Sequence, residues 1–135
     1  ILIQFPLYFG ILALMQSGGL IELISNRFIA VSNTTTLPLF TLFSAGLVNI
    51  FVPSGGGQWA IQGPIILEAA TKLGVSLPKI ILALAYGDQL TNMLQPFWAL
   101  PLLSITGLKA KEILPYTLVL FLLGLLVFIG VLLVF

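Results

Sequence analysis

The chain has 135 residues, 59% of them hydrophobic and 7% charged, with five basic and four acidic side chains and a net charge of +1. An ordinary soluble domain carries roughly 25% charged residues, so charge is too sparse here to coat a surface in water, and lipid is expected to cover much of it. With no Lys/Arg cluster, nucleic acid is excluded as a partner; with no Cys and no His, so are disulfides, thiol or imidazole catalysis and soft metal sites, and no cofactor is expected.

Ile1 opens the chain inside an apolar run that has no basic leader or cleavage signal, which reads as the interior of a longer protein. The run continues to about residue 16, interrupted by Gln4, Pro6 and Gly10, and is expected to be the end of a membrane-spanning helix, stopped by Gln16-Ser-Gly-Gly19. From Leu20 to Val31 the apolar residues Ile21, Ile24, Phe28 and Val31 recur at helical spacing, with Glu22, Ser25, Asn26 and Arg27 on the other faces. This pattern predicts a short interfacial helix, or else a frayed end of a span.

Asn33-Thr-Thr-Thr36 supplies N-cap chemistry for an apolar helix from Leu37 to Val52, ended by Pro53. At 1.5 Å per residue it covers about 24 Å, short of a hydrocarbon core of about 30 Å. After Ser54-Gly-Gly-Gly57 a second short helix is expected, about Gln58 to Leu73. Two short helices joined at a glycine tip predict a re-entrant hairpin over 37–73; two tilted spans with an aqueous loop are the alternative. Glu68 and Lys72, four residues apart, read as a local ion pair near the membrane surface.

The stretch 77–103 has the length of a span, but Gly87-Asp-Gln-Leu-Thr-Asn92 lies near its middle and Gln95-Pro96 follows. It is expected to be a discontinuous helix, unwound at the polar cluster, because exposed backbone is tolerated at that depth only beside protein or a water-filled cavity. Gly107 to Glu112 is a charged loop, and Leu114 to Phe135 is a nearly pure apolar helix that serves as scaffold. The expected fold is therefore an all-α membrane protein, one transmembrane domain over 1–135, with a re-entrant hairpin and a broken helix. With a re-entrant hairpin, Arg27, Lys72 and Lys79 share one side and Lys109 and Lys111 the other, three against two, which leans slightly toward a cytoplasmic location for the first group.

Two polar islands carry the chemistry. Ser54, Gly55, Gly56, Gly57 and Gln58 combine backbone that can approach a ligand closely with a helix N-terminus that favours anions. Trp59 offers an apolar wall for a short acyl chain and Gln62 a further hydrogen bond; a plain flexible turn is the alternative for the glycines. In the second island Asp88 costs about 2.5–3.5 kcal/mol at a helix centre on insertion scales, and acids so placed usually face a cavity or ion path. Asp88 and Thr91 are candidate ligands of a coupling ion, and Gln89 and Asn92 of the substrate, unless Asp88 only caps the half-helix after the break. Phe97 and Trp98 read as packing or interface residues. Paired half-helices of this kind hold substrate and co-transported ion in secondary transporters. A hydrolytic triad or dyad cannot be built, since His is absent and only one acid lies within the apolar segments, so no enzyme is expected.

The runs VPSGGGQWAIQGP (Val52 to Pro64), AYGDQLTNMLQPFWALPLL (Ala85 to Leu103) and ITGLKAKEI (Ile105 to Ile113) resemble the short-chain fatty acid transporter family over most of the chain. The resemblance implies a multi-pass carrier of the bacterial cytoplasmic (inner) membrane for short monocarboxylates such as acetoacetate or butyrate, and places this chain at the C-terminal end of a longer protein. The expected partners are the carboxylate, a proton or Na+, the bilayer and the N-terminal half of the same chain. Another organic anion, such as a dicarboxylate, and a non-transporting membrane subunit are the competing readings.

Overall fold

The computed structural model describes residues 6–7, 10, 13–14 and 17–135, and everything described is helix, turn or connection. The first expected span, 1–16, lies largely outside the described residues. Helix α1, Leu20–Ala30, begins after Gly19, whose φ of 66° is left-handed backbone open to glycine. It does not lie apart from the other helices but packs against α2 (Leu37–Phe51) and α3 (Gly55–Leu73), with Ile29 on their shared core.

Asn33 sets the start of α2. Its Oδ1 accepts from the N–H groups of Thr35 and Thr36 at 3.0 and 2.9 Å, while Thr36 Oγ1 accepts from Asn33 N–H at 2.9 Å, so donors left over at a helix start are satisfied reciprocally. Val52, before Pro53, leaves the helical region (φ −126°, ψ 75°) and ends α2. Only 52–54 separate the two helices: the glycines, expected to form a tip before the second helix, make up the first turn of α3, capped by Ser54, whose Oγ accepts from Gly57 N–H at 3.3 Å. At the other end of α3, Gly74 adopts φ 70° and Val75 N–H returns to Ala70 O at 2.8 Å, a glycine-dependent stop.

Helix α4, Leu77–Asn92, runs without interruption through Gly87 and Asp88. The expected break exists but lies further on, at 93–95, followed by a 3-10 turn at Pro96–Ala99 and by α5, Leu100–Thr106. Proline explains the displacement. Pro96 has no N–H and restricts Gln95 to extended backbone, and the chain tightens just before it, with N–H groups of Met93, Leu94 and Gln95 donating three residues back at 3.1–3.2 Å. Gly87 serves packing instead. A Cβ there would lie 2.2 Å from Leu42 O, 2.7 Å from Ala45 Cβ and 2.9 Å from Gly46 N, so α2 and α4 touch backbone to backbone along Ala45, Gly46, Ala83 and Gly87, as small residues allow in lipid.

The pairing of Leu42 with Gly87 and of Asn49 with Thr91 makes α2 and α4 parallel, while α3 runs antiparallel to both, with Gln58 on Ala45 of α2 and Gly55 beside Asp88 of α4. Leu37, Ala45, Ile66, Ala70, Ile80 and Leu84 form the core of these three helices. Helix α6, Ala110–Val134, joins through Leu132 and a stack of Phe128 on Tyr86, ring centroids 4.1 Å apart. It is the one helix among the described residues long and apolar enough to cross a membrane; one side of it packs on the bundle through Phe121, Leu125, Phe128 and Leu132, and only Leu132 is buried.

Candidate functional site

Because α2 and α4 are parallel and α3 is antiparallel, the C-terminal ends of α2 and α4 and the N-terminal end of α3 meet at one end of the bundle. That end gathers the buried Asn49, Gln58 and Thr91 with the half-buried Asp88. Asn49, on the last turn of α2, is fully buried and is the residue that sequence reasoning passed over. Its Nδ2 donates to Asp88 O at 3.0 Å, Thr91 Oγ1 at 2.9 Å and Asn92 Oδ1 at 3.1 Å, so one amide ties α2 to the last turn of α4. Gln95, in the break, donates from Nε2 to Asn49 O at 3.3 Å and so caps a carbonyl at the end of α2. Asn49 could have been flagged as the sole amide in an apolar helix otherwise marked only by Thr41 and Ser44.

Asp88 lies inside α4, one turn before its end, and therefore does not cap a half-helix after the break. Its Oδ2 accepts from Asn92 Nδ2 at a long 3.4 Å, and the carboxylate abuts the first turn of α3: a Cβ on Gly55 would stand 3.5 Å from Oδ2. Asp88 Oδ1 is buried with no hydrogen-bond partner among the described residues, and so is Asn49 Oδ1. Thr91, the other expected ion ligand, is buried and committed, accepting from Asn49 and donating to Gly87 O at 3.4 Å.

The first island divides. Ser54 and Gly55–Gly57 stay at the tip, partly or fully exposed, beside Asp88. Gln58 and Gln62 turn inward and are fully buried; Gln58 Nε2 donates to Ala45 O at 2.8 Å and to Gln62 Oε1 at 2.7 Å, locking α3 to α2. Trp59 packs its indole over Gly63, where a Cβ would come within 3.0 Å of the ring. A cleft of about 430 Å³ opens at the same end, lined by Pro53, Gln89, Asn92, Met93 and Trp98. Trp98, expected to be a packing or interface residue, lines it and donates from Nε1 to Asn92 O at 2.8 Å. The ion pair of Glu68 and Lys72 forms as expected, at the far end of α3.

The height of this polar end is set by α6. Gly124 faces Leu90 and Met93, with a Cβ there falling 3.4 Å from Leu90 Cδ2, and Phe128 stacks on Tyr86. Asp88 thus stands level with about the middle of the apolar run from Leu114 to Phe135.

These features define an all-helical chain whose longest helix suits a bilayer and whose polar groups gather at half its height. A family model described as "Short chain fatty acid transporter" matches residues 1–135, and the chain belongs to that family. It is 53% identical over 116 residues to a protein of Escherichia coli (strain K12), and 50% identical over 116 residues to one of Haemophilus influenzae (strain ATCC 51907 / DSM 11121 / KW20 / Rd), both provisionally named as short-chain fatty acid transporters. Each match takes in 86% of this chain but 26% of the relative, so the chain spans about a quarter of the length of the curated relatives it matches. No solved structure matches.

Proposed function

We propose that this chain forms part of the translocation path of a secondary carrier that moves short monocarboxylates across the bacterial cytoplasmic membrane together with a cation. The observation that carries the reading is the meeting of the α3 N-terminus, Asp88 and the 430 Å³ cleft at mid-height of α6. In this reading α2 and α3 enter from the side of the α6 C-terminus, turn at 52–54 at mid-depth and leave by the same side, as a re-entrant hairpin. Lys72 and Lys79 then stand together at one face and Lys109 and Lys111 at the other; the positive-inside tendency places the first pair in the cytoplasm.

The substrate carboxylate docks at the first turn of α3, where Ser54 and Gly55–Gly57 leave room and the helix end is partially positive. Gln89 and Asn92 add hydrogen bonds, and Pro53, Met93 and Trp98 face the short acyl chain. No basic side chain lines the cleft among the described residues, so a second carboxylate would go unneutralised; this favours monocarboxylates over dicarboxylates. Gln58, Gln62 and Trp59 brace the tip rather than touch the substrate.

Asp88 supplies the coupling. Two carboxylates about 4 Å apart repel by about 4 kcal/mol at an effective dielectric constant of 20, so the anion binds well only once a proton or metal cation has neutralised Asp88. The test is uptake of labelled butyrate and acetoacetate by proteoliposomes holding the full-length carrier, with proton and Na+ gradients imposed separately. Saturable uptake driven by one gradient is expected; folded protein that takes up neither acid under either gradient would overturn the reading.

A further inference from the structure

Four buried side-chain oxygens have no partner among the described residues, those of Thr41 (Oγ1), Gln58 (Oε1), Asn49 (Oδ1) and Asp88 (Oδ1); the last two belong to side chains that the Asn92 amide connects, accepting from Asn49 Nδ2 and donating to Asp88 Oδ2. Leaving such acceptors buried and unpaired is unfavourable. Asn49 cannot relieve its own by turning its amide over, because Nδ2 is held as a donor by the backbone carbonyl of Asp88. A proton would satisfy Asp88 alone, whereas a hard cation held between the two side chains would satisfy Asn49 Oδ1 as well, with the partial negative charge of the carboxyl end of α2 favouring it. Among the described residues no cluster of three acidic, His or Cys side chains exists, so one carboxylate balances a single positive charge and a divalent ion would remain unneutralised.

We infer that Asn49 Oδ1 and Asp88 Oδ1 are ligands of a dehydrated Na+ at the carboxyl end of α2, and that Thr91 is a positioning residue that holds Asn49 in place. This deepens the carrier reading by naming its ion and a ligand outside both polar islands. The site fills before substrate, because the cation removes the charge that repels the incoming carboxylate.

The experiment reads cation binding without substrate: the melting temperature of the purified full-length carrier in detergent is followed against NaCl, with KCl and choline chloride as ionic-strength controls. The wild type should show a saturable Na+-specific rise. Asn49→Ala and Asp88→Asn should each raise the half-saturating Na+ concentration about tenfold or more, Asn49→Ser less, since it keeps an oxygen, and Thr91→Val by less than about threefold. If Asn49→Ala does not fold, Asn49→Ser and Asp88→Asn decide.

A wild-type protein stabilised equally by all three salts overturns the inference, as does an Asn49→Ala protein with unchanged Na+ dependence or a Thr91→Val protein that alone loses it. Na+ stabilisation without butyrate uptake would leave the cation site standing and sink the monocarboxylate reading. Butyrate uptake driven by a proton gradient and indifferent to Na+ would do the reverse.

Discussion

Asn49 and Asp88 show how differently two polar residues announce themselves. Asp88 stands out in the sequence because a lone acid in an apolar segment is expensive, and the structure sets it against the first turn of α3. Asn49 is a single amide near the end of a helix, and its importance comes from three acceptors, none closer than 39 positions along the chain. Long-range pairing of that kind has no local pattern to betray it. Gln58 and Gln62 give the opposite lesson: their neighbourhood to Ser54 and the glycines marks them as ligands in the sequence, but helical spacing turns both toward α2, where Gln58 holds Ala45 O. Gln58→Ala is therefore expected to destabilise the protein by about 1–3 kcal/mol, the cost of a lost buried hydrogen bond, as read by denaturant titration in mixed micelles. A loss of that size with substrate affinity intact assigns Gln58 to the scaffold; a change in substrate KM at unchanged stability would return it to the binding site. Asp88→Asn, nearly isosteric, should reduce gradient-driven uptake about tenfold or more while leaving protein abundance unchanged. Full uptake with undiminished ion dependence would remove Asp88 from the coupling mechanism.

At the scale of elements, several stops are legible from local chemistry: Asn33 with Thr36, Pro53 and Gly107 mark boundaries that the structure keeps, whereas the helix expected from Gln58 starts one turn earlier, at Gly55 on the Ser54 cap. The position of the break in 77–103 is not legible. Glycine beside a run of polar residues reads as a weak point, and the sequence alone does not say that Gly87 is enclosed by α2, where its missing Cβ lets two helices meet. The chain breaks where proline forces it, after the polar residues have been presented on an intact helix, so Asp88, Gln89, Thr91 and Asn92 keep fixed relative directions. Gly87→Ala should consequently be severe: its Cβ would sit 2.2 Å from a backbone oxygen that cannot withdraw cheaply. Overpacking at such contacts costs about 1–3 kcal/mol or more, and a lowered melting temperature with loss of folded carrier from the membrane is expected. Gly130→Ala, on the open face of α6 with nothing near its Cβ position, is the matched control and should leave the melting temperature unchanged. Equal behaviour of the two variants would contradict the close crossing of α2 and α4.

For the molecule as a whole, the informative feature is the offset between a short polar-ended bundle and a long apolar helix. Helix α6 has 25 residues and would span about 37 Å at 1.5 Å per residue, while the ends of α2 and α4 reach only about the level of Gly124. Packing, rather than composition, fixes that offset through Tyr86 on Phe128 and Leu90 on Gly124, which is why depth could be expected from the sequence only as a consequence of element lengths. The proposed carrier function makes the polar end a wet cavity at mid-membrane that anions reach. A subunit that used the same residues as glue would keep them dry. Labelling of single cysteines at Gln89 and Asn92 by a membrane-impermeant thiol reagent, in the full-length carrier freed of other cysteines, separates the two. Both positions should react, cysteines at Leu122 and Leu126 on the bare side of α6 should not, and saturating butyrate should slow the reaction at Gln89 and Asn92. Labelling absent at both polar positions, or rates indifferent to butyrate, would contradict a monocarboxylate path through this end of the bundle.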